Sequence, residues 1–173
     1  MTEKARSSKL PYRPCVGVML INRDGLVWIG RRADAPQSQA EGAGTWWQMP
    51  QGGIDEDEDP AKAAARELRE ETGVRSARII AQSKVWHRYD LPNHLVGKAW
   101  GGRYRGQKQV WFLMRFTGPD REIDITPPNP EHIEFDAWRW ARSSELLDLI
   151  VPFKRDVYRA VLDEFGPLIA PEG

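Results

Sequence analysis

The chain has a single cysteine, Cys15, in 173 residues. That excludes an intramolecular disulfide and a cysteine-rich zinc site. A lone thiol suits a reducing compartment, so a cytoplasmic location is expected. No apolar run approaches the ~18 residues of a membrane span, so no membrane association is expected. The opening residues, MTEKARSSKL, lack the apolar core of a secretory signal and read as a disordered lead. There is no excess of charge either. Lys and Arg number 25 and Asp and Glu number 25, so bulk electrostatics argue for neither nucleic acid nor a membrane surface. Internal repeats and low-complexity tracts are absent. What remains is the composition of one ordinary globular domain, large enough for a real core. It is expected over residues 11–166, between a lead at 1–10 and a tail at 167–173.

Residues 15–21 form an apolar run rich in β-formers, hence a strand. Residues 22–25 read as a turn, and 26–29 begin a second strand. Residues 31–44 are polar and small, a surface loop. A short strand at 46–49 leads into a tight turn at Gly52 and Gly53. Residues 77–89 read mostly as strand and 90–107 as a long loop, a feature that is commonly functional in a compact domain. In residues 109–116, Val110, Phe112, Met114 and Phe116 share one face of a strand. Another strand covers 135–140. Ser143 or Ser144 caps a helix through Ile150, and Pro152 opens a last helix through Phe165. Strands and helices interleave, which predicts an α/β fold, a mixed sheet sandwiched between helices.

The segment GGIDEDEDPAKAAARELREETGV, residues 52–74, carries the most information. Asp59 is a good N-cap, Pro60 suits the first helical position and Gly73 ends the helix. Ala61, Ala64, Ala65, Leu68 and Thr72 form one narrow face at helical spacing. Glu67, Glu70 and Glu71 stand at i, i+3 and i+4, on another side roughly 130° away. Like charges at that spacing repel by ~0.2–0.5 kcal/mol per pair on an exposed helix. A bound divalent cation is the simplest reason to keep them together. Carboxylate oxygens select Mg²⁺, Mn²⁺ or Ca²⁺ over softer metals. A solvated acidic helix face is the bland alternative.

Gly52, Glu58 six residues on, and the run Arg66-Glu67-Leu68-Arg69-Glu70-Glu71-Thr72-Gly73-Val74 fit the Nudix box at every fixed position. The chain therefore resembles the Nudix hydrolases, which cleave nucleoside diphosphates linked to another group. The resemblance implies the Nudix α/β/α sandwich, and a site built on a divalent metal, Mg²⁺ or Mn²⁺. Its metal ligands are Glu67, Glu70 and Glu71, with Glu58 contributing through water and Arg66 orienting a glutamate by a charge-assisted hydrogen bond. The general base is Glu67 or, second, Glu134, with Glu131 and Asp136 as rivals in the same segment.

Further motifs narrow the resemblance. YRPCVG at 12–17, WWQMPQGGID at 46–55, GQKQVWFL at 106–113, EFDAWRW at 134–140 and PFKRDVY at 152–158 are together similar to one sequence group. That group holds the bacterial RNA pyrophosphohydrolases and the plant-type diadenosine tetraphosphate hydrolases. It implies one of two substrates, a 5′-triphosphorylated RNA end or a dinucleoside polyphosphate. Arg13 matches a phosphate-contacting arginine. Arg32 and Phe153 match residues that hold a nucleotide, and Lys154 and Tyr89 match further substrate contacts. Glu134 matches a metal-binding glutamate outside the box. The chemistry is coherent: arginines grip phosphate bidentately, and a phenylalanine stacks on any base. Phe153 as a core anchor and Tyr89 as a buried strand residue are the structural alternatives. The loop 33–45 is longer than in the shorter RNA-processing members, which leaves RNA and dinucleotide open. The basic stretch 98–108, interleaved with Trp100 and Tyr104, suits either a polyphosphate grip or a solvated loop. A catalytically silent nucleotide-binding module would require a broken metal site, yet all three box glutamates and Arg66 are present.

Overall fold

Two long parallel strands form the axis of the molecule, β1 (Tyr12–Ile21) and β7 (Gly106–Phe116). They pair from Tyr12↔Gly106 to Ile21↔Arg115. The computed structural model describes residues 9–33, 46–126 and 133–170. Residues 1–8 of the expected lead, most of the loop at 33–45, Glu131 and the last three residues lie outside them.

The sheet has eight strands among the described residues. β2 (Val27–Arg32) and β4 (Gln51–Gly53) run antiparallel to β1 on the side away from β7. β3 (Trp47–Gln48) and β8 (Phe135–Ala141) pair with β2. β5 (Ala77–Gln82) and β6 (His87–Asp90) pair antiparallel with β7. The stretch read as one strand over 77–89 is thus two. Between them Ser83 accepts the Trp111 N–H on its hydroxyl (3.0 Å) and donates that hydroxyl to the Val85 carbonyl (2.9 Å). The ladder is diverted through a side chain at that point.

Helices cover both faces, so the central strands are buried almost throughout, as parallel pairing requires. Val16, Val18 and Leu20 alternate with Met19 and Ile21. The first set packs with Val110, Phe112, Met114 and Phe116 under α1 (Pro60–Thr72). The second packs against α2 (Leu146–Leu149) and α3 (Arg155–Phe165). This is the expected α/β/α sandwich. Neither serine caps the helix before Ile150; Ser143–Glu145 form a 3-10 turn, tied by the Arg142 N–H to the Glu145 carboxylate (2.8 Å). Residues 167–170 of the expected tail are docked, because Arg115 donates to the Ala170 carbonyl (3.0 Å).

Helix α1 begins and ends where its sequence dictates. Asp59 accepts from the Lys62 N–H (3.2 Å), Pro60 opens the first turn, and Gly73 closes it in the left-handed region at φ 75°. Its buried face is Ala63, Ala64, Leu68 and Thr72. Ala61 is half-buried and packs against the same core, as expected, whereas Ala65 is exposed, against expectation. Ala63, Glu67 and Glu71 lie in one i, i+4 row. The helix is rolled toward that row, bringing two of its carboxylates onto the sheet edge.

Candidate active site

Gly52 and Gly53 do not form a turn. They are strand residues of β4, paired with Val16 and Cys15. Glycine is required there by what lies on each side. A Cβ on Gly52 would clash with the carboxylate of Glu67. One on Gly53 would lie 2.5 Å from a guanidinium nitrogen of Arg13. Strand residues alternate faces, so these two bare positions let a carboxylate settle on one side of the ribbon and a guanidinium on the other.

Arg66 fixes the acidic side. Its Nε and Nη2 donate to the two oxygens of Glu58 (2.9 and 2.8 Å). Nη2 also donates to the Gly53 carbonyl (2.9 Å), and Nη1 reaches Glu67 (2.9 Å) and Glu70 (3.2 Å). One guanidinium therefore ties α1 to β4 and neutralises part of the cluster. The bidentate bond from Arg66 pulls the Glu58 carboxyl down to about 2. The Glu58 Oε1 also accepts the Asp55 N–H (3.0 Å).

The glutamates differ in setting. Glu67 has a 14% exposed side chain and Glu70 a 54% exposed one. Burial raises the Glu67 carboxyl above its ordinary range, against the hydrogen bond from Arg66. Burial raises Glu71 much further, helped by the charges of Glu134 and Glu67, although the Gln51 N–H donates to it (3.2 Å). Glu134 thus acts on Glu71 through its charge.

A pocket of about 400 Å³ opens here. Of the residues the sequence singled out, it is lined by Glu67, Glu71, Glu134, Arg13, Arg32, Tyr89 and Lys154. Carboxylates and cations therefore face one space. Glu70 and Arg66 are not on its wall. Nor is Phe153, whose ring packs 5.6 Å from that of Tyr89. Tyr89 is 7% exposed, so it is both a core residue and part of the wall. Lys154, equally buried, sits 5.7 Å above the Tyr89 ring. Asp136 points elsewhere, paired with Arg31.

Sequence reasoning missed the glutamines. Gln48, Gln51 and Gln107 line the pocket. Gln109 donates to Gln51 (2.9 Å) and Gln107 (2.7 Å) and accepts from the Trp111 indole (3.0 Å). Gln48 is buried with its side-chain oxygen unpartnered. The available signal was polar residues at every second position of 107–109, just before an apolar strand. Trp100, read only as part of the basic stretch 98–108, lines the pocket too. Its backbone is left-handed at φ 51°, a strain of about 1–2 kcal/mol for a side chain of this kind. The Arg13 guanidinium lies 5.6 Å over its ring.

The donor set suits a hard divalent cation. Glu67, Glu71 and Glu134 are carboxylates lining one pocket, and burial of Glu71 with repulsion from the other two raises it in a way that a bound cation would relieve. Among the described residues, no three carboxylate, imidazole or thiolate groups are drawn together as a closed coordination shell. Arg66 holds Glu67 and Glu70 by hydrogen bonds instead. No helix among the described residues is long and apolar enough to cross a membrane.

Known proteins share both this sequence and this architecture. The NUDIX domain pattern matches residues 11–161. The RNA pyrophosphohydrolase of Sphingopyxis alaskensis is 59% identical over 163 residues, covering 93% of this chain and 97% of its own. That of Mesorhizobium japonicum is 54% identical, with 96% and 97% covered. Among solved structures, the E. coli dihydroneopterin triphosphate pyrophosphohydrolase has a TM-score of 0.65 at 20% identity, covering 89% of this chain and 99% of its own. A C. elegans Ap4A hydrolase has 0.60 at 15%, with 90% and 98% covered. Likeness at those identities speaks for the fold, while the sequence matches speak for descent: the chain belongs to the Nudix hydrolase family.

Proposed function

We propose that this protein removes pyrophosphate from 5′-triphosphorylated RNA, leaving a 5′-monophosphate end. One observation carries the reading. Relatives named RNA pyrophosphohydrolase are 54–59% identical to this chain over nearly the whole length of both. The pocket is what such a reaction needs, lined both by carboxylates and by Arg13, Arg32 and Lys154.

In this reading Glu67, Glu70, Glu71 and Glu134 hold a divalent cation, Mg²⁺ or Mn²⁺. Such an ion, when bound, neutralises phosphate oxygens and lowers the pKa of water. The chain's own residues do the rest. Arg13, Arg32 and Lys154 grip the polyphosphate by charge-assisted hydrogen bonds. Tyr89 and Phe153 offer rings to the terminal nucleotide. Glu67, its carboxyl raised by burial, accepts the proton of the attacking water. The α–β anhydride bond breaks and pyrophosphate leaves. Arg66 holds Glu67 in place by its hydrogen bond. The enzyme acts in the cytoplasm.

The test is a comparison of kcat/KM for a short triphosphorylated RNA and for diadenosine tetraphosphate, with Mg²⁺ and with Glu70→Gln as the blank. Pyrophosphate release from RNA at the higher kcat/KM is expected. A clear preference for the dinucleotide, giving ATP and AMP, would replace RNA as the substrate.

A further inference from the structure

Between Glu71 and Asp120 the sequence has nine Lys and Arg and one acid, Asp90. In a chain of zero net charge this is a local surplus, and the fold gathers part of it on one surface. Arg88 of β6 and Pro14 of β1 both pair with Lys108 of β7, so all three share a face. Tyr12, two residues before Pro14, shares it as well. This is the face opposite Arg13, Tyr89 and Gln107, which line the pocket. On it the cations lie over rings. Arg105 and Arg88 stand 4.8 and 5.6 Å from the Tyr12 centroid, and Lys108 stands 5.3 Å from that of Trp86. Trp86 is 40% exposed. Asp90 pairs with Arg105, but no carboxylate among the described residues pairs with Arg88 or Lys108.

The strip is continuous with the pocket. The segment 91–105 wraps the strand ends between them, and Arg103 lies 5.8 Å over Tyr104, whose ring meets that of Trp100 at 6.3 Å. Trp100 in turn carries Arg13 at the pocket wall. Alternating cations and aromatic rings along an exposed path match a single-stranded nucleic acid, whose phosphates and bases alternate in the same way.

We infer that this strip, from Trp100 to Trp86, carries the RNA chain downstream of its 5′ end without regard to sequence. The inference rests on the proposed RNA substrate. It adds a contact surface on the far side of the sheet from the chemistry.

The test is binding of 5′-monophosphorylated RNA to the full chain by fluorescence anisotropy across a salt series. A dinucleotide is compared with an unstructured strand long enough to cover the strip. The wild type should bind the long strand more tightly. The R88Q/K108Q double variant should lower the slope of log K against log salt by about 1.4 for that strand, at ~0.7 per phosphate contact. Trp86→Ala should weaken the long strand about five-fold or more. Neither change should alter dinucleotide binding, and melting curves establish that the variants fold. Equal affinity of the wild type for both lengths, or equal loss on both, would overturn the inference and leave the strip as a protein contact. Pyrophosphate release from the long triphosphorylated strand separates the two readings. Its absence in the wild type would remove the RNA substrate, whereas normal release with length-independent affinity would remove only the strip.

Discussion

A methyl group placed on either of two adjacent glycines should damage catalysis in two different ways. In Gly52→Ala the new Cβ enters the space held by the Glu67 carboxylate. That carboxylate is the far end of a flexible side chain, so it can move aside, and overpacking costs about 1–3 kcal/mol. For a domain of this size that is a fall in Tm of about 2–4 °C per kcal/mol. The displacement is on the order of 1 Å, which can cost about 10²-fold when it misplaces a catalytic group. Gly53→Ala instead crowds the guanidinium of Arg13, 2.5 Å from the ideal Cβ. If Glu67 moves the proton and Arg13 grips phosphate, Gly52→Ala lowers kcat with KM nearly unchanged, and Gly53→Ala mainly raises KM. Steady-state kinetics on triphosphorylated RNA, with a melting curve for each variant, measures both. Wild-type kcat in Gly52→Ala, or the same kcat and KM pattern in both variants, would refute the assignment of the two faces.

Three further outcomes follow from the electrostatics and the caps. Glu71→Gln should abolish turnover yet raise Tm in EDTA, because it removes a carboxylate whose charged form burial and Glu134 disfavour. Its sign with pH is opposite to the usual carboxylate. A raised folded pKa means that metal-free wild type gains stability as pH falls from neutral through that pKa, and the variant should lose this gain in a pH series of melts. Glu58→Gln should behave the other way: the Arg66 hydrogen bond holds the folded carboxyl at about 2 against 4.5, so the wild-type advantage is complete above about 4.5 and vanishes as pH falls to about 2. Asp59→Ala removes the cap on Lys62 and should cost about 1 kcal/mol, read as a drop in Tm of about 2–4 °C without a change in KM.

Much of the fold was legible because its signals are local. Asp59, Pro60 and Gly73 are end markers that act through their own backbone, and α1 begins and ends as they require. The alternation of Val110, Phe112, Met114 and Phe116 marks a face that helix α1 covers. Where the reading failed, the cause was a partner distant in sequence. Gly52 and Gly53 look like a turn until Glu67 and Arg13 are seen against them. Ala63 is buried and Ala65 exposed because the helix rolls toward a strand edge that its own periodicity does not specify. The single strand expected over 77–89 divides at Ser83, whose hydroxyl bonds the backbone of Trp111, 28 residues away. In the site, charged residues stood out by chemistry, whereas Gln48 and Gln51 carry no charge and match no spacing rule, and the alternation of Gln107 with Gln109 gains meaning only from tertiary placement.

The glutamate cluster poses a stability problem that Arg66 resolves for Glu67 and Glu70. Three carboxylates on adjacent turns repel, and burial of Glu67 and Glu71 makes that repulsion worse. Arg66 sits one residue before Glu67 and four before Glu70, close enough for hydrogen bonds to both. Its remaining donors go outside the helix, to Glu58 and to the carbonyl of Gly53. A lysine at this position would keep the charge and lose the planar fork, so it could not hold Glu58 through both oxygens while reaching Gly53 and Glu67. The arginine therefore has two inseparable roles. It offsets the repulsion within α1, and it locks that helix in register with β4, the strand whose bare glycines admit Glu67. Sequence spacing alone explains why the carboxylates share a helix side. Arg66 explains why that side faces the pocket.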